Sequence, residues 1–331
     1  MFSTSALLAL NSEPADATTV SSSTRKMPPG KLYAIADIHL SFPGNVEAWS
    51  QLAPHPGDGL ILCGDVGESL EHMRIACSKA ASCFDMVWWV PGNHELYTVR
   101  AEGSDGSRGE PKYEKLVEVA RQFGVLTPED DFMVWEGQGG AAVIAPIFTL
   151  YDYSFKPDDV PISGALNWAK EENIEATDEY LLHPDPYPTR QAWCHALVQK
   201  FEAKLEAAKA QHPTLPFIIA NHWPLRKDLV FIPRIPRFVI WCGTTLTEDW
   251  HRRFNAKVVI SGHLHIRRTD WKSGCRFEEV SLGYPRQWKD CADMGLGVNE
   301  LLREILPGPK AIPEGGEQPA EWRSFTMEHI Y

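Results

Sequence analysis

Short apolar runs punctuate this chain, and most of them stop at a polar residue delivered through a glycine or a turn. Residues 32–36, 60–63, 86–90, 132–136, 141–147, 217–220, 257–261 and 277–281 read as strands, Val258-Val259-Ile260 being a β-branched run that suits a buried one. Between the early runs the apolar spacing turns helical, at about 45–53, 68–82 and 112–123. A longer amphipathic helix is predicted over about 191–211. Strands alternating with helices predict an α/β fold in which a sheet carries helices on its faces.

Residues 1–29 are rich in Ser, Thr and Ala and end in Pro28-Pro29-Gly30, which predicts a disordered leader. A folded domain is expected over 30–295, with a Gly/Ser/charge loop at 100–109. Residues of about 148–190 mix aromatics, prolines and acids without a period and predict a cap or insertion. In the tail, 296–331, a short helix and then loose Pro/Gly-rich chain are expected.

The strand ends carry the chemistry. Residues 258–266 read VVISGHLHI, and the alternation of an extended chain projects His263 and His265 the same way. Such a pair can share a metal cluster or simply lie at the surface. The other strands favour the cluster. Asp37 and His39 follow the first strand, Gly64-Asp65 the second, Gly92-Asn93-His94-Glu95 the third and Asn221-His222 a later one. Ligands of open α/β sheets gather outside the carboxyl ends of strands, so five such endings predict one site. Carboxylate, amide and imidazole donors suit Mn, Fe or Zn, and the lack of thiolate argues against a structural zinc knot. Cys63, within its strand, is expected to be buried rather than a ligand. Two metals about 3.5–4 Å apart can clamp a phosphate, generate hydroxide at neutral pH and stabilise an in-line displacement.

In this order DxH, GD, GNHE, a lone His and GHxH resemble the calcineurin-like metallophosphoesterases. The resemblance implies a β-sandwich flanked by helices (αββα) with two divalent or trivalent metal ions at the strand ends. It implies Asp37, His39, Asp65 and His265 as ligands of the first metal. Asp65 would bridge to a second metal, held also by Asn93, His222 and His263. His94 would bind phosphate and protonate the leaving oxygen, with Glu95 orienting its imidazole. One departure is informative. The protein-phosphatase branch has Asp-Arg after Gly-Asp, where this chain has Val66-Gly67-Glu68-Ser69, so a Ser/Thr protein phosphatase is not expected.

The segments DEYLLHPDPYPTRQAWC (178–194), WCGTTLTEDWHRRFN (241–255) and HLHIRRTDW with RFEEVSLGYPRQW (263–288) are similar to the 4′-phosphopantetheinyl hydrolases of mycobacterial type. This resemblance covers about residues 31–290. It implies a metal-dependent phosphodiester hydrolase that releases 4′-phosphopantetheine from holo acyl or peptidyl carrier proteins. A nucleotide or cyclic-nucleotide phosphodiesterase on the same site is the alternative. A non-catalytic metal-binding scaffold is more remote, because His94 and all seven ligand positions are present.

Charge changes the picture locally rather than globally. A formal net charge of −12 argues against bulk binding to nucleic acid or to a membrane surface. No apolar run approaches the roughly 20 residues needed to span a bilayer. Seven cysteines without a CxxC pair predict reduced thiols in a cytoplasmic protein. Against this acidic background Arg226, Lys227, Arg234, Arg237, Arg252, Arg253, Arg267 and Arg268 crowd one region, which predicts an anion-binding surface. Lys227, Arg234, Arg237 and Arg268 are the candidates for docking an acidic carrier protein. The aromatic segments 148–155 and 178–188 are expected to line a channel for pantetheine.

Overall fold

The computed structural model describes residues 29–99, 106–309 and 318–323. Its strands are β1 (Leu32–Ile35), β2 (His55–Cys63), β3 (Phe84–Val90), β4 (Met133–Trp135), β5 (Ala142–Pro146) and β6 (Phe217–Ala220). They continue with β7 (Ala256–Ser261), β8 (Arg268–Lys272), β9 (Cys275–Glu279), β10 (Arg303–Leu306) and β11 (Glu321–Trp322). One sheet has the order β10-β1-β2-β3, with β1, β2 and β3 parallel and β10 antiparallel to β1. The other has the order β11-β8-β9-β7-β6-β5-β4, with β5, β6, β7 and β9 parallel.

Period-two alternation makes the sandwich. Ala34 of β1, Ile61 and Cys63 of β2 and Met86, Trp88 and Val90 of β3 share one buried cluster with Ile144, Ile218, Ala220, Val258 and Ile260 of the second sheet. The intervening residues Leu60, Leu62, Val87 and Trp89, with Val143, Ile219 and Val259, belong to the larger core that includes the helices. The helices Leu70–Cys83 and Arg190–Gln211 enter that core through Met73, Ala76 and Ala80 and through Trp193, Leu197, Phe201 and Leu205. Strands apolar on both faces require cover on both sides, hence helix, sheet, sheet, helix. The crossovers leave the parallel strands of both sheets ending toward the same groups of side chains. That common end is where the site lies.

Several expectations need correction. The tail after 295 is not loose throughout: β10 pairs with β1, Leu32 opposite Leu306, and β11 pairs with β8. Its four residues Arg303–Leu306 carry no clear period, and only an open edge of the first sheet makes them a strand. Of the predicted channel aromatics, those of 148–155 are core: Phe148, Tyr151 and Phe155 are fully buried and Tyr153 nearly so, whereas Tyr180 is exposed. Residues 148–190 otherwise hold a 3₁₀ turn, Ile162–Gly164, and the short helices Ala165–Lys170 and Asp178–Leu181. The leader, 1–29, lies outside the described residues apart from Pro29, as does the first part of the 100–109 loop. All seven cysteines are buried and unpaired. No helix among the described residues is long and apolar enough to cross a membrane.

Candidate metal centre

The ends of the parallel strands turn sharply. Asp37, His39, Asp65, His263 and His265 all have left-handed backbone, with φ between 40° and 71°. Such residues cost of order 1–3 kcal/mol each and persist where their surroundings overdetermine them. Here the turns bring side chains from five strand ends to one place. The glycines beside them leave the room: a Cβ on Gly64 would stand 2.5 Å from His222 Nδ1, on Gly92 2.1 Å from Asp65 Oδ1, and on Gly262 2.4 Å from Asp37 Oδ2.

Two groups of donors form, one around the Asp37 carboxylate and one around that of Asp65. Donor atoms of Asp37, His39 and His265 lie within 4.8 Å of one another, and so do those of Asp65, His222 and His263. A third grouping, His39 with Asp65 and His94, joins them. His265 Nε2 is 2.9 Å from Asp37 Oδ1 and 3.2 Å from His39 Nε2. His222 Nε2 is 3.4 Å from Asp65 Oδ2, and His263 Nδ1 is 3.1 Å from Asn93 Oδ1.

The outer hydrogen bonds aim these donors inward. His222 Nδ1 donates to the Cys63 carbonyl at 2.9 Å, which leaves the Nε2 lone pair facing the cluster. His265 Nδ1 donates to Gln287 Oε1 at 2.7 Å, with the same consequence. Nε2 of His222 and Nε2 of His263 are buried without a hydrogen-bond partner. Lone pairs drawn together with carboxylate oxygens and no proton donor between them fit a cation. Burial alone would raise the Asp37 carboxyl, but His265 overrides it and holds the group down to about 2. Burial would likewise lower His222, and the Asp65 carboxylate instead raises it to about 10. A dication would take over from that proton as the partner of Asp65.

One role read from the sequence falls on another residue. Glu95 does not touch His94; its Oε2 accepts from Asp65 N at 2.9 Å and Gly92 N at 3.0 Å, and its Oε1 from Val66 N at 2.9 Å. It ties the β2 and β3 loops together. The partner of His94 Nδ1 is Glu68 Oε1, at 3.2 Å. Burial lowers the His94 pKa, but Asp65 and Glu68 outweigh it and raise it to about 9. Glu68 could have been found as the first carboxylate after Gly64-Asp65; Gln287 and Ser281, which donates to Asp37 Oδ2 at 2.6 Å, carry no signal of their own in the sequence.

The calcineurin-like phosphoesterase family matches residues 30–267. The chain belongs to the calcineurin-like phosphoesterases. It is 44% identical over 284 residues, 85% of each chain, to the [acyl-carrier-protein] phosphodiesterase PptH of Mycobacterium tuberculosis. It is also similar to the crystal structure of phosphopantetheinyl hydrolase (PptH) from Mycobacterium tuberculosis, at a TM-score of 0.80 and 42% identity, covering 87% of this chain and all of that one. A family of metal-dependent phosphoesterases accounts for both donor groups.

The expected basic surface of this phosphoesterase is mostly spent on internal pairs. Lys227 donates to the Lys156 carbonyl at 2.6 Å, and Arg237 is held by Glu171 at 2.7 Å and Glu172 at 3.2 Å. Arg268 is buried, paired with Asp270 at 2.6 Å and set between Phe231 and Trp322. Arg226 is paired with Asp228 and Arg253 with Glu202, while Arg267 is buried against backbone carbonyls. Arg234 is exposed and lines the cleft over the metal centre, a space of about 540 Å³. Arg286, which the sequence reading missed, lines the same cleft and is also exposed. Tyr284 stacks on His39, ring centroids 4.5 Å apart, and completes that wall.

Proposed function

We propose that this phosphoesterase hydrolyses the phosphodiester joining 4′-phosphopantetheine to the serine of an acyl or peptidyl carrier protein. The observation that carries the reading is 44% identity across 85% of the chain to a phosphodiesterase named for that carrier. The cleft is consistent with it: open, acid- and imidazole-floored, and flanked by Arg234 and Arg286, which suit an acidic protein partner.

Asp37, His39, Asp65 and His265 would hold one ion, and Asp65, Asn93, His222 and His263 the other. This donor set suits Mn or Fe, and Zn is compatible. Two such ions supply Lewis-acid charge for the phosphoryl oxygens and bring water into the titration range of neutral solution. The chain's own part is proton delivery and positioning. Nε2 of His94 lies 3.9 Å from Asp65 Oδ2, on the cleft wall. From there it donates its proton to the serine oxygen as that oxygen leaves phosphorus and the water oxygen takes its place. Glu68 holds the ring at Nδ1, so Nε2 is the end presented to the substrate. Glu95 keeps the Asp65 and Asn93 loops in register through backbone N–H groups.

The test is direct. Holo carrier protein incubated with Mn-loaded enzyme is expected to lose phosphopantetheine, seen by mass as apo carrier plus the free arm. Hydrolysis of cyclic AMP with holo carrier untouched would replace this reading with the nucleotide one.

A further inference from the structure

Among the donors of the metal centre Asn93 alone is an amide, which can present either oxygen or NH₂. The backbone does not settle which. The neighbours do. Nδ2 of Asn93 lies 2.9 Å from the Tyr97 hydroxyl and 3.1 Å from Asp178 Oδ1. Tyr97 spends its own proton on Asp178 Oδ1, at 2.5 Å, so toward Asn93 the hydroxyl oxygen is an acceptor. An ionised carboxylate is an acceptor only. Both groups therefore demand N–H from Asn93, which turns Oδ1 to the opposite side, 3.1 Å from His263 Nδ1.

Asp178 comes from the irregular segment 148–190, not from a strand end, and opens the short helix Asp178–Leu181. It is only 2% exposed, and it lines the cleft beside Glu175, Ala176 and Thr177. A carboxylate buried there costs free energy unless bonded, and its Oδ1 is bonded to both Tyr97 and Asn93.

We infer that Asp178 is a positioning residue which fixes the flip of Asn93 and so turns an amide oxygen, rather than an amide NH₂, toward the second metal position. This deepens the reading of the site as dinuclear and rests on it. The cleft wall at 175–178 and the affinity for one ion of the pair are thereby joined through a single side chain.

Chelated protein titrated with Mn²⁺, by calorimetry and by metal content after dialysis, tests this without reference to turnover. Wild type is expected to bind two equivalents. Asp178→Asn, whose amide can donate and so tolerates the flipped Asn93, is expected to weaken one equivalent about 10–100-fold and leave the other near wild type. In an Asn93→Asp background, where there is no amide to flip, Asp178→Asn is expected to cause no further loss and, by removing a like charge, even a gain. Should Asp178→Asn not fold, Tyr97→Phe removes one of the two acceptors and is expected to weaken the same equivalent to a smaller degree. Unchanged affinity in Asp178→Asn overturns the inference, as does equal weakening of both equivalents. The same loss from Asp178→Asn in the Asn93→Asp background also overturns it. Wild-type protein that takes up no Mn²⁺ would overturn the metal site itself, a failure distinct from these.

Discussion

Oε1 of Glu68 sits 3.2 Å from Nδ1 of His94, so the histidine beside the shared carboxylate is held by the loop that follows Asp65. His94→Ala is expected to retain its metals and to lose about 10²–10⁴-fold in rate on holo carrier. A serine oxygen needs a proton to leave, whereas p-nitrophenolate does not, so an activated diester should lose far less. Glu68→Gln should act in the same direction more mildly and also shift the pH profile. Glu68 is among the groups that raise His94, whose proton is required and whose contribution is lost as pH rises through its pKa. Removing that charge is therefore expected to move the alkaline limb of kcat to lower pH. An unmoved limb would separate Glu68 from the proton donor.

Asp65 belongs to two donor groups, one with His222 and His263 and one with His39 and His94. Asp65→Asn is expected to lower uptake of both ions, measured as metal content after dialysis, and to abolish turnover. Loss of a single equivalent would show that the carboxylate is not shared.

Gly64 has φ 86°, and a Cβ there would meet His222 Nδ1 at 2.5 Å and Gly92 N at 2.9 Å. Gly64→Ala is expected to cost about 1–3 kcal/mol, read from the denaturant midpoint, because neither the ring nor the backbone can yield cheaply. Metal affinity should fall with it, since His222 is displaced. Added Mn²⁺ is expected to recover part of the lost stability by mass action.

Arg234 and Arg286 line the cleft and are exposed, whereas Arg268 is buried and paired with Asp270. Reversing Arg234 and Arg286 together is expected to raise KM for holo carrier, with a small effect on a minimal diester. The wild-type advantage should fade with salt, because exposed charges are screened over about 10 Å at 0.1 M. Arg268→Glu is expected to lower the melting temperature instead, since it leaves Asp270 facing a like charge.

The strand ends were legible because their chemistry is local. Gly64-Asp65, Gly92-Asn93 and Gly262-His263 each place a donor next to a glycine that lets the chain turn, Asp37-Ile38-His39 follows its strand directly, and a buried apolar strand announces where each begins. The αββα layering was legible only through the resemblance carried by those motifs; alternation alone predicted a sheet with helices on its faces. What remained hidden depends on distant partners. Glu95 adjoins His94 in sequence whereas Glu68 lies 26 residues before it, yet in the fold Glu95 meets backbone and Glu68 meets the imidazole. The arginines of 226–268 looked alike along the chain, but Arg237 met Glu171 and Arg268 met Asp270, and a charge already neutralised offers little to a partner. Arg303–Leu306 became a strand because β1 had a free edge. Residue type and spacing determine which atoms can bind a cation; which neighbour takes each remaining hydrogen bond or charge is decided only when segments far apart in sequence are brought within about 3 Å.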